Sequence, residues 1–338
     1  TIFYLKMKKK IIVTGGAGFI GSHLCEYLIK KNNVEKVICI DNFEDGSLNN
    51  LKTIIKNKKL IIKKVDIRDK KKLAGAFSKK IDTIFHLAAQ SDIVPSIENP
   101  VDYLETNFNG TLNILNLMNK FKIKKIIYAA SSSCYGIPKK YPTNENEKTD
   151  TKYPYAYSKY IAETLIQNWS KIYKINYISL RLFNVYGTRS RTNNAYGAVI
   201  GIFLKQSLMK KNLTIVGNGE QKRDFVNVKD VAIAFYKAMR SKKWNEIYNI
   251  GSGNPQTINY LAKLIGGNKV YLPKRPAEPN QTFANIEKVK KNLKWYPKVD
   301  FEAGIKEVLK NKFYWKNAIL WDKKKIAKAT KIWFKLLS

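Results

Sequence analysis

Cysteine is rare in this sequence, and its spacing excludes several kinds of small cross-linked fold. The 338 residues contain three cysteines, Cys25, Cys39 and Cys134, which lie far apart and form no CxxC pair. An odd number of widely spaced thiols argues against a disulfide framework and against a zinc site. We therefore expect no metal, and a reducing, cytoplasmic environment.

Long hydrophobic runs are missing as well. The longest apolar run, residues 195–204, is about half the length that a membrane-spanning helix needs. Residues 1–6 contain too short an apolar stretch for a signal peptide and no small-residue cleavage site, so we expect Met7 to be the natural start. We expect no integral membrane span, although a hydrophobic content of 44% is ordinary for a folded protein.

Arginine is scarce in a strongly basic chain. Seven of the 62 basic residues are arginine, and with 26 acidic residues the net charge is +36. The lysines are spread along the whole chain, which indicates a solvated, lysine-rich surface. No helix-turn-helix, zinc-finger or RNP pattern supports nucleic acid as a partner. A positive field would nevertheless attract a phosphate-bearing substrate.

Strand-like and helix-like segments alternate through the first half of the chain. This order predicts an α/β fold with a Rossmann-like, doubly wound parallel sheet. The predicted strands are Lys10–Thr14, Lys36–Asp41, Leu60–Val65, Thr83–Leu87, Lys125–Ala130 and Asn176–Arg181. The predicted helices are Ile20–Lys31, Leu48–Lys56, Lys70–Lys80, Pro100–Lys120 and Ala156–Tyr173. An apolar stripe at helical spacing supports the fourth helix and consists of Leu104, Phe108, Leu112, Leu115 and Met118.

A glycine-rich turn joins the first strand to the first helix. Gly15 permits a tight turn, Gly18 lets the backbone approach a phosphate, and Gly21 lets the helix pack closely on the strand. In this context the motif predicts a dinucleotide pyrophosphate held at the helix N-terminus. Asp41 ends the second strand, twenty residues after Gly21. Its carboxylate would accept hydrogen bonds from ribose hydroxyls, which favours NAD over NADP.

Further candidates for the cofactor site follow from their position at strand ends. Asp66 and Ile67 follow the third strand, where a plain loop is the alternative. Small residues end the fourth strand, where ordinary close packing is the alternative. The whole predicted set is Gly15, Gly18, Phe19, Ile20, Gly21, Asp41, Asn42, Asp66, Ile67, Leu87, Ala88, Ala89, Asn107, Tyr155 and Lys159.

Tyr155 and Lys159 form the predicted catalytic pair. They are four residues apart at the start of a predicted helix, and therefore lie on one face of it. The phenol needs help to ionise, since its ordinary pKa is about 10, and a neighbouring ammonium favours the phenolate. The same YxxxK spacing at Tyr4 and Tyr135 has no comparable helical context. Tyr155 is therefore predicted to be the base.

A run of serines ends the fifth predicted strand. Hydroxyls at the carboxyl end of a central strand point into the ligand crevice and can bridge a substrate hydroxyl and a phenol. We assign this role to Ser132 first and to Ser133 next, and we expect the remaining serine to satisfy local backbone.

Beyond Phe183 the predicted elements become shorter. They form a smaller C-terminal α+β lobe over the carboxyl edge of the sheet, where ligands of such sheets bind. We therefore divide the chain into a NAD-binding Rossmann domain (7–182), a mainly substrate-binding lobe (183–312) with segments that return to the Rossmann core, and a basic amphipathic extension (313–338). The predicted elements of the lobe are a helix at Ala198–Lys210, a strand at Leu213–Gly219, a helix at Val228–Arg240 and a strand at Glu246–Gly251.

The extension carries Ile326, Ala329, Trp333 and Leu336 on one face of a predicted helix. This face would pack on the body of the protein or on a second subunit. The alternative is a helix that lies on a membrane surface.

Together these motifs resemble the extended short-chain dehydrogenase/reductase family, in particular its nucleotide-sugar epimerases and dehydratases. The resemblance runs from Lys10 to about Leu309. It rests on the order of TGGAGFIG, the Asp41-Asn42 strand end, HLAA at His86, SSSCYG at Ser131, YxxxK at Tyr155, RLFNVYG at Arg181, RDF at Arg223 and RPAE at Arg275.

The resemblance assigns roles on the substrate side. It implies that Asn184 contacts the phosphate region, that Arg223 and Arg275 clamp a diphosphate, and that Glu278 meets a ribose. A surface salt bridge is the alternative for each of these charges. Thr282 stands where family members with a strict glucose preference have a bulky aromatic residue, which implies room for a 2-acetamido group. Ser132 completes the predicted substrate set.

The resemblance also narrows the reaction. The family's dehydratases carry an Asp-Glu pair after the strand-end hydroxyl and its decarboxylases carry a Glu, whereas this chain has Ser133-Cys134. Hydride removal from C4, rotation of the keto sugar and hydride return remain, with Tyr155 as acid and base. We therefore expect a UDP-sugar 4-epimerase, acting on the UDP-glucose/UDP-galactose pair or on the N-acetylated pair.

There are two alternatives to this function, and one further expectation concerns the oligomeric state. A 4,6-dehydratase or a UDP-glucuronate decarboxylase is the alternative within the family, and a nucleotide-binding protein without turnover is the alternative outside it. The resemblance further implies a homodimer formed through the helices predicted at 100–120 and 156–173.

Overall fold

The computed structural model describes residues 8–190 and 198–337. Its strands are β1 (Lys9–Thr14), β2 (Val34–Asp41), β3 (Leu60–Lys64), β4 (Ile81–His86), β5 (Lys125–Ser131), β6 (Asn176–Leu182), β7 (Asn184–Tyr186), β8 (Leu213–Val216), β9 (Lys222–Arg223), β10 (Phe225–Asn227), β11 (Glu246–Ile250), β12 (Gln256–Thr257) and β13 (Lys269–Leu272). Its helices are α1 (Phe19–Ile29), α2 (Lys70–Ala74), α3 (Ile93–Glu98), α4 (Pro100–Leu104), α5 (Gly110–Lys120), α6 (Pro154–Tyr173), α7 (Val199–Leu208), α8 (Val228–Met239), α9 (Ile258–Ile265), α10 (Glu287–Leu293), α11 (Phe301–Lys310) and α12 (Lys323–Leu337).

Seven strands form one parallel sheet in the order β11-β6-β5-β4-β1-β2-β3. The chain builds outward from β1 to β3, returns to the centre at β4, and builds outward on the other side. Neighbouring connections therefore leave in opposite directions at β1 and β4, which opens a crevice at their carboxyl ends. The predicted doubly wound parallel sheet is confirmed, and all six predicted strands of the first half are present within three residues of their expected ends.

Helices cover both faces of this sheet and so bury its strands on both sides, as is usual for a parallel sheet. One face packs against α1 and α8, where Leu24, Leu28 and Phe235 join the core. The other packs against α5 and α6 through Met118 and Ile166. The three cysteines are free thiols buried inside the protein. Within the described residues, no helix is long and apolar enough to cross a membrane.

Two predicted helices are much shorter in the structure. The segment predicted as Leu48–Lys56 forms a single 3₁₀ turn over Leu48–Leu51. The segment predicted as Lys70–Lys80 ends as a helix at Ala74, where Gly75 follows as the C-cap. Gly75 lowers helix stability in the second segment, and a helix as short as either segment is marginal unless packing supports it.

The helix predicted over Pro100–Lys120 is interrupted. A π-helical turn over Glu105–Asn109 separates α4 from α5 and rotates the residues that follow it. The predicted apolar stripe is therefore only partly correct, since its last two members, Leu115 and Met118, are fully buried while its first three are half-buried. The homodimer expected through these helices stays a prediction.

A separate core holds the smaller lobe together. Phe203 of α7, Leu261 of α9 and Trp315 are fully buried there, beside three two-stranded pairings, β10-β7, β12-β9 and β13-β8. The strand predicted at Glu246–Gly251 is β11, which joins the edge of the large sheet instead. The predicted boundaries at residues 182 and 312 stay predictions.

The C-terminal extension folds back onto the body of the protein. Helix α12 packs on α3, with Ile326, Thr330 and Trp333 buried. The predicted face was wrong at its end, because Leu336 is 58% exposed and the buried polar residue Thr330 takes part instead. The hydroxyl of Thr330 donates to the carbonyl of Ile326 within the helix, which allows its burial.

One buried ion pair ties α6 to the sheet. The guanidinium of Arg181 on β6 donates to Glu163 on α6 at 2.6 and 3.2 Å, and both side chains are at most 5% exposed. Arg181 also donates to the hydroxyl of Tyr135 at 3.0 Å. Breaking a buried pair leaves an uncompensated charge, which costs more than an exposed pair contributes.

Glu163→Gln should therefore lower the free energy of unfolding by about 3–5 kcal/mol. Glu287→Gln is the matched control, because its ion pair with Lys290 is exposed, and it should change stability by less than about 0.5 kcal/mol. Urea unfolding followed by circular dichroism measures both. Equal effects of the two substitutions would contradict the assigned role of the buried pair.

Candidate active site

A single cleft of about 1120 Å³ lies across the carboxyl ends of the parallel strands and continues into the smaller lobe. This exceeds the usual volume of a small-molecule pocket, about 300–1000 Å³. Every predicted site residue except Asn107 lines it. The residues predicted to bind the cofactor, to catalyse the reaction and to bind the substrate therefore line one continuous space, with a predicted cofactor end at Gly15 and Asp41 and a predicted substrate end at Arg223 and Arg275.

The glycine turn brings two strand ends into contact. Gly15 has a φ of +67°, and a Cβ there would lie 2.8 Å from the backbone nitrogen of Ala88. A Cβ on Gly21 would collide with the carbonyl oxygen of Gly15. Gly18 forms the N-cap of α1, so the free N–H groups of the first helical turn face the cleft. This is the arrangement that holds a pyrophosphate.

Thr14 and His86 lie under the glycine turn, on the side away from the cleft, and hold it in place through hydrogen bonds. The hydroxyl of Thr14 contacts Nδ1 of His86 at 2.8 Å and accepts from the backbone nitrogens of Leu87 and Ala88 at 3.2 Å. Nε2 of His86 contacts the hydroxyl of Thr111 at 2.8 Å. Burial lowers the pKa of His86 to about 3, so the ring is neutral and holds the loop after β4. Sequence reasoning missed this role of Thr14, Thr111 and the His86 side chain.

Carboxylates gather at the adenosine end of the cleft. Asp41 accepts from the backbone nitrogens of Ala17 and Phe43, each at 2.9 Å, and burial raises its pKa. Asp66 is paired with Arg68 at 2.7 Å. Burial alone would raise the pKa of Asp66, but hydrogen bonds from Arg68 and Asn42 outweigh it and lower the pKa to about 2. Anionic groups at this end disfavour a 2′-phosphate.

Asn107 lies behind the wall of the cleft. Its carboxamide accepts from the backbone nitrogen of Gln90 at 2.8 Å and donates to the Gln90 carbonyl at 3.0 Å and to the hydroxyl of Ser158 at 2.8 Å. These bonds hold the loop after β4 against α6. A direct cofactor contact of Asn107 stays a prediction.

The hydroxyl of Tyr155 lies in the cleft, 3.4 Å from the hydroxyl of Ser131. Burial raises the pKa of Tyr155, and the hydrogen bond with Ser131 opposes this rise. Lys159 lies one turn along α6, with Nζ 4.2 Å from the centroid of the Tyr128 ring. Burial lowers the pKa of Lys159 to about 7, while the charge of Glu163 opposes the shift.

The structure favours a serine that the sequence did not single out. Ser131 ends β5 and contacts both Tyr155 and, at 2.7 Å, the hydroxyl of Ser133. Ser132 and Ser133 also line the cleft, and their predicted catalytic roles stay predictions. Neighbouring serines look alike in sequence, since only the direction of each side chain at the strand end distinguishes them.

The substrate end carries the arginines. Arg223 donates to Glu278 at 2.7 Å, whereas Arg275 lies 3.8 Å from the same carboxylate. Thr282 accepts from the backbone nitrogen of Asp224 at 2.9 Å and donates to the side-chain oxygen of Asn184 at 2.8 Å. Thr282 thus orients Asn184 as well as leaving space beside it. Guanidinium forks in a partly dehydrated cleft suit a diphosphate.

The residues present fit a bound NAD. The pyrophosphate would lie against the turn at Gly15 and Gly18, where a Cβ would fill the space. The adenosine would lie beside Asp41 and Asp66, and the nicotinamide would lie toward Tyr155.

Residues 11–251 match the model of the NAD dependent epimerase/dehydratase family. A "putative UDP-glucose 4-epimerase" of Methanocaldococcus jannaschii is 39% identical over 306 residues, which cover 88% of this chain and 97% of the relative. Other matched relatives are named as UDP-sugar decarboxylases or as a dTDP-D-glucose 4,6-dehydratase.

Solved structures match over a slightly larger share of the chain. A UDP-glucose 4-epimerase of Thermotoga maritima with UDP-glucose has a TM-score of 0.83 and 34% identity, over 91% of this chain and 99% of that one. A UDP-N-acetylglucosamine 4-epimerase of Methanobrevibacter ruminantium with UDP-N-acetylmuramic acid has a TM-score of 0.83 and 33% identity, over 92% and 99%. Other matched structures contain NAD.

The low pKa of Lys159 predicts a pH-dependent stability of the cofactor-free protein. Between the folded pKa of about 7 and the unfolded value of about 10.4, the unfolded chain binds more protons at this site. The free energy of unfolding of the wild type, relative to Lys159→Met, should therefore rise from pH 7 to 9, by up to about 1.4 kcal/mol per pH unit.

Lys171→Met is the control, because Lys171 is exposed on the same helix. Its stability difference from the wild type should stay flat over the same range. Urea unfolding of the cofactor-stripped protein at several pH values makes the comparison. A flat difference for Lys159→Met as well would contradict the lowered pKa.

Proposed function

We propose that this chain, which belongs to the NAD dependent epimerase/dehydratase family, catalyses the 4-epimerisation of a UDP-sugar. The observation that carries the proposal is the position of the Tyr155 hydroxyl. It lies in the cleft beside Ser131, between the cofactor end and the arginine-bearing substrate end. A sugar hydroxyl placed there would meet an acid–base group on one side and an oxidant on the other.

Proton transfer is assigned to Tyr155. In the ligand-free site its raised pKa keeps the phenol protonated, so positive charge is needed to favour the phenolate. The positive charge of the bound, oxidised cofactor would supply it, and so would Lys159 in those molecules in which its amine, with a pKa of about 7, is protonated. Tyr155 then takes the proton of the 4-hydroxyl and later returns it to the same oxygen. The Ser131 hydroxyl is placed to bridge that oxygen and the phenol.

NAD, when bound, supplies the redox chemistry by accepting the C4 hydride and giving it back. The chain's own contribution is to hold the sugar so that either face of C4 can be turned toward the nicotinamide. Anchoring the diphosphate through Arg223 and Arg275 leaves the sugar tethered at one end and free to turn at the other. Such a tether keeps the oxidised sugar in the cleft until it is reduced.

The three residues that follow Ser131 favour epimerisation over elimination. A 4,6-dehydratase needs an acid and a base at C5 and C6, and a decarboxylase handles a substrate carboxylate. After Ser131 the chain presents Ser132, Ser133 and the buried thiol of Cys134, whose pKa burial raises to about 12. None of these is a carboxylate. The protonated thiol is also too weak an acid to replace one at neutral pH.

The sugar side supports the N-acetylated pair as well as the unsubstituted one. Thr282 is compact and bonded to Asn184, so it leaves volume that a large aromatic side chain at that position would fill. We therefore extend the proposal to UDP-N-acetylglucosamine and UDP-N-acetylgalactosamine. An enzyme active only on the unsubstituted pair would contradict this extension and leave the 4-epimerase proposal intact.

Tyr155→Phe should reduce turnover by about three orders of magnitude or more, because it removes the acid–base group, while leaving NAD bound. Tyr157→Phe is the matched control, since Tyr157 lies half a turn away on the same helix and is 50% exposed. Its turnover should equal that of the wild type. Cofactor content is read from absorbance after denaturation.

The wild type should be incubated with UDP-glucose, UDP-N-acetylglucosamine and UDP-glucuronate, and the products followed by mass spectrometry and proton NMR. Isomers of unchanged mass support the proposal. Loss of water would assign a dehydratase instead, and loss of carbon dioxide a decarboxylase. Full activity of Tyr155→Phe would refute the assigned mechanism.

A further inference from the structure

The C-terminal extension reaches both ends of the cleft. After α11 the hydroxyl of Tyr314 donates to Asn50 at 2.8 Å, beside the cofactor end. The chain then crosses the smaller lobe, where the carbonyls of Lys316 and Trp321 accept from side chains of α7 at 2.6 Å. Helix α12 finally packs on α3, which itself contacts α6 and contributes Ile93 and Val94 to the cleft wall.

Trp333 is the residue of α12 that lines the cleft. Its indole is 3% exposed and lines the cleft wall. Its Nε1 donates to the carbonyl of Pro276 at 2.9 Å, so one end of the ring is fixed in the smaller lobe. Its ring centroid lies 6.2 Å from that of Tyr153, whose ring is stacked on Tyr155 with an interplanar angle of 7°.

The same indole contacts the guanidinium of Arg275, whose carbon lies 5.4 Å from the ring centroid. Arg275 also forms an ion pair with Glu278 at 3.8 Å, and the same carboxylate accepts a hydrogen bond from Arg223 at 2.7 Å. An aromatic face attracts a guanidinium and limits its movement while leaving the N–H groups at the edge of the plane to bind an anion.

We propose that Trp333 is a positioning residue for the substrate, which holds the Arg275 guanidinium in place to bind the diphosphate. The inference rests on the proposed function, because that function gives Arg275 a diphosphate to bind. It assigns a role in the site to the C-terminal helix, which would otherwise serve only to cover α3.

A purely structural role for Trp333 predicts different behaviour. If the indole only attached α12 to the smaller lobe, the hydrogen bond from Nε1 to Pro276 would matter and the aromatic face would not. Phenylalanine keeps the face and loses the hydrogen bond. Leucine is apolar and closer in size to phenylalanine than to tryptophan, and it loses both. Comparing Trp333→Phe with Trp333→Leu therefore separates the two roles.

The affinity of the NAD-loaded, full-length enzyme for UDP and for uridine is measured by calorimetry, with kcat and KM for the UDP-sugar. Trp333→Leu should weaken UDP binding and raise KM about five- to tenfold, with kcat within about twofold and uridine binding unchanged. Trp333→Phe should stay within about twofold of the wild type. Leu336→Ala, on the exposed side of α12, is the control and should match the wild type.

A double-mutant cycle tests whether Trp333 acts through Arg275. In an Arg275→Ala background, Trp333→Leu should have no further effect on UDP affinity. The same loss in both backgrounds, or wild-type affinity of Trp333→Leu, would overturn the inference. So would a Trp333→Phe variant that loses as much UDP affinity as Arg275→Ala, a result that stands even where the leucine variant fails to fold.

The measurements distinguish a wrong assignment of the 4-epimerase function from a wrong assignment of the role of Trp333. If the wild type epimerises a UDP-sugar and Trp333→Leu behaves like it, only the role of Trp333 is wrong. If the wild type binds UDP but converts no UDP-sugar, the proposed function is wrong, while the affinities of the Trp333 variants still report on the contact with Arg275.

Discussion

The close approach of two strand ends is the constraint on which the rest of the site depends. At Gly15 the turn after β1 presses on the backbone that follows β4, so closely that a Cβ has no room. Thr14 and the neutral ring of His86 hold the same two segments together from inside the protein. Because β1 and β4 flank the topological switch point, their separation sets the floor of the whole cleft. A dinucleotide lying along that floor is brought within reach of α6 and the end of β5.

Charge is distributed along the cleft by local pairing and not by the net charge of +36. At the predicted adenosine end, Asp41 accepts from backbone nitrogens and Asp66 is paired with Arg68. At the predicted substrate end, Arg223 and Arg275 share the carboxylate of Glu278. Lys159, which is desolvated, lies one helical turn from Tyr155. Burying Lys159 carries an energetic cost that the rest of the domain must offset. The ion pair between Arg181 and Glu163 helps to fix α6, the helix that carries Tyr155 and Lys159, against the sheet. The packing of the domain thus holds the buried amine of Lys159 in place despite the free energy that its desolvation costs.

The C-terminal extension shows how a peripheral element can belong to a binding site. Its many lysines suggest a solvated surface helix, and its apolar positions suggest nothing more than packing. In the folded chain it spans from the cofactor end to the substrate end, and its indole lies against Arg275. This contact forms only because the extension crosses α7 and α12 then packs on α3. The sequence of α12 by itself does not specify that path.

The family resemblance supplied Asn184, Arg223, Arg275, Glu278 and Thr282, which all line the cleft, whereas local pattern alone determined the sheet, the glycine turn, the Tyr155–Lys159 spacing and the candidates at the strand ends. These are features of neighbouring residues, where periodicity, glycine spacing and strand-end position carry the information. The tertiary structure alone decided that Ser131 contacts the phenol, that Asn107 supports the cleft from behind, that a π turn divides the helix before Lys120, and that Trp333 reaches Arg275. Each of these depends on side-chain direction or on contacts between segments distant in the chain, and the energies that fix them arise only when those segments pack together.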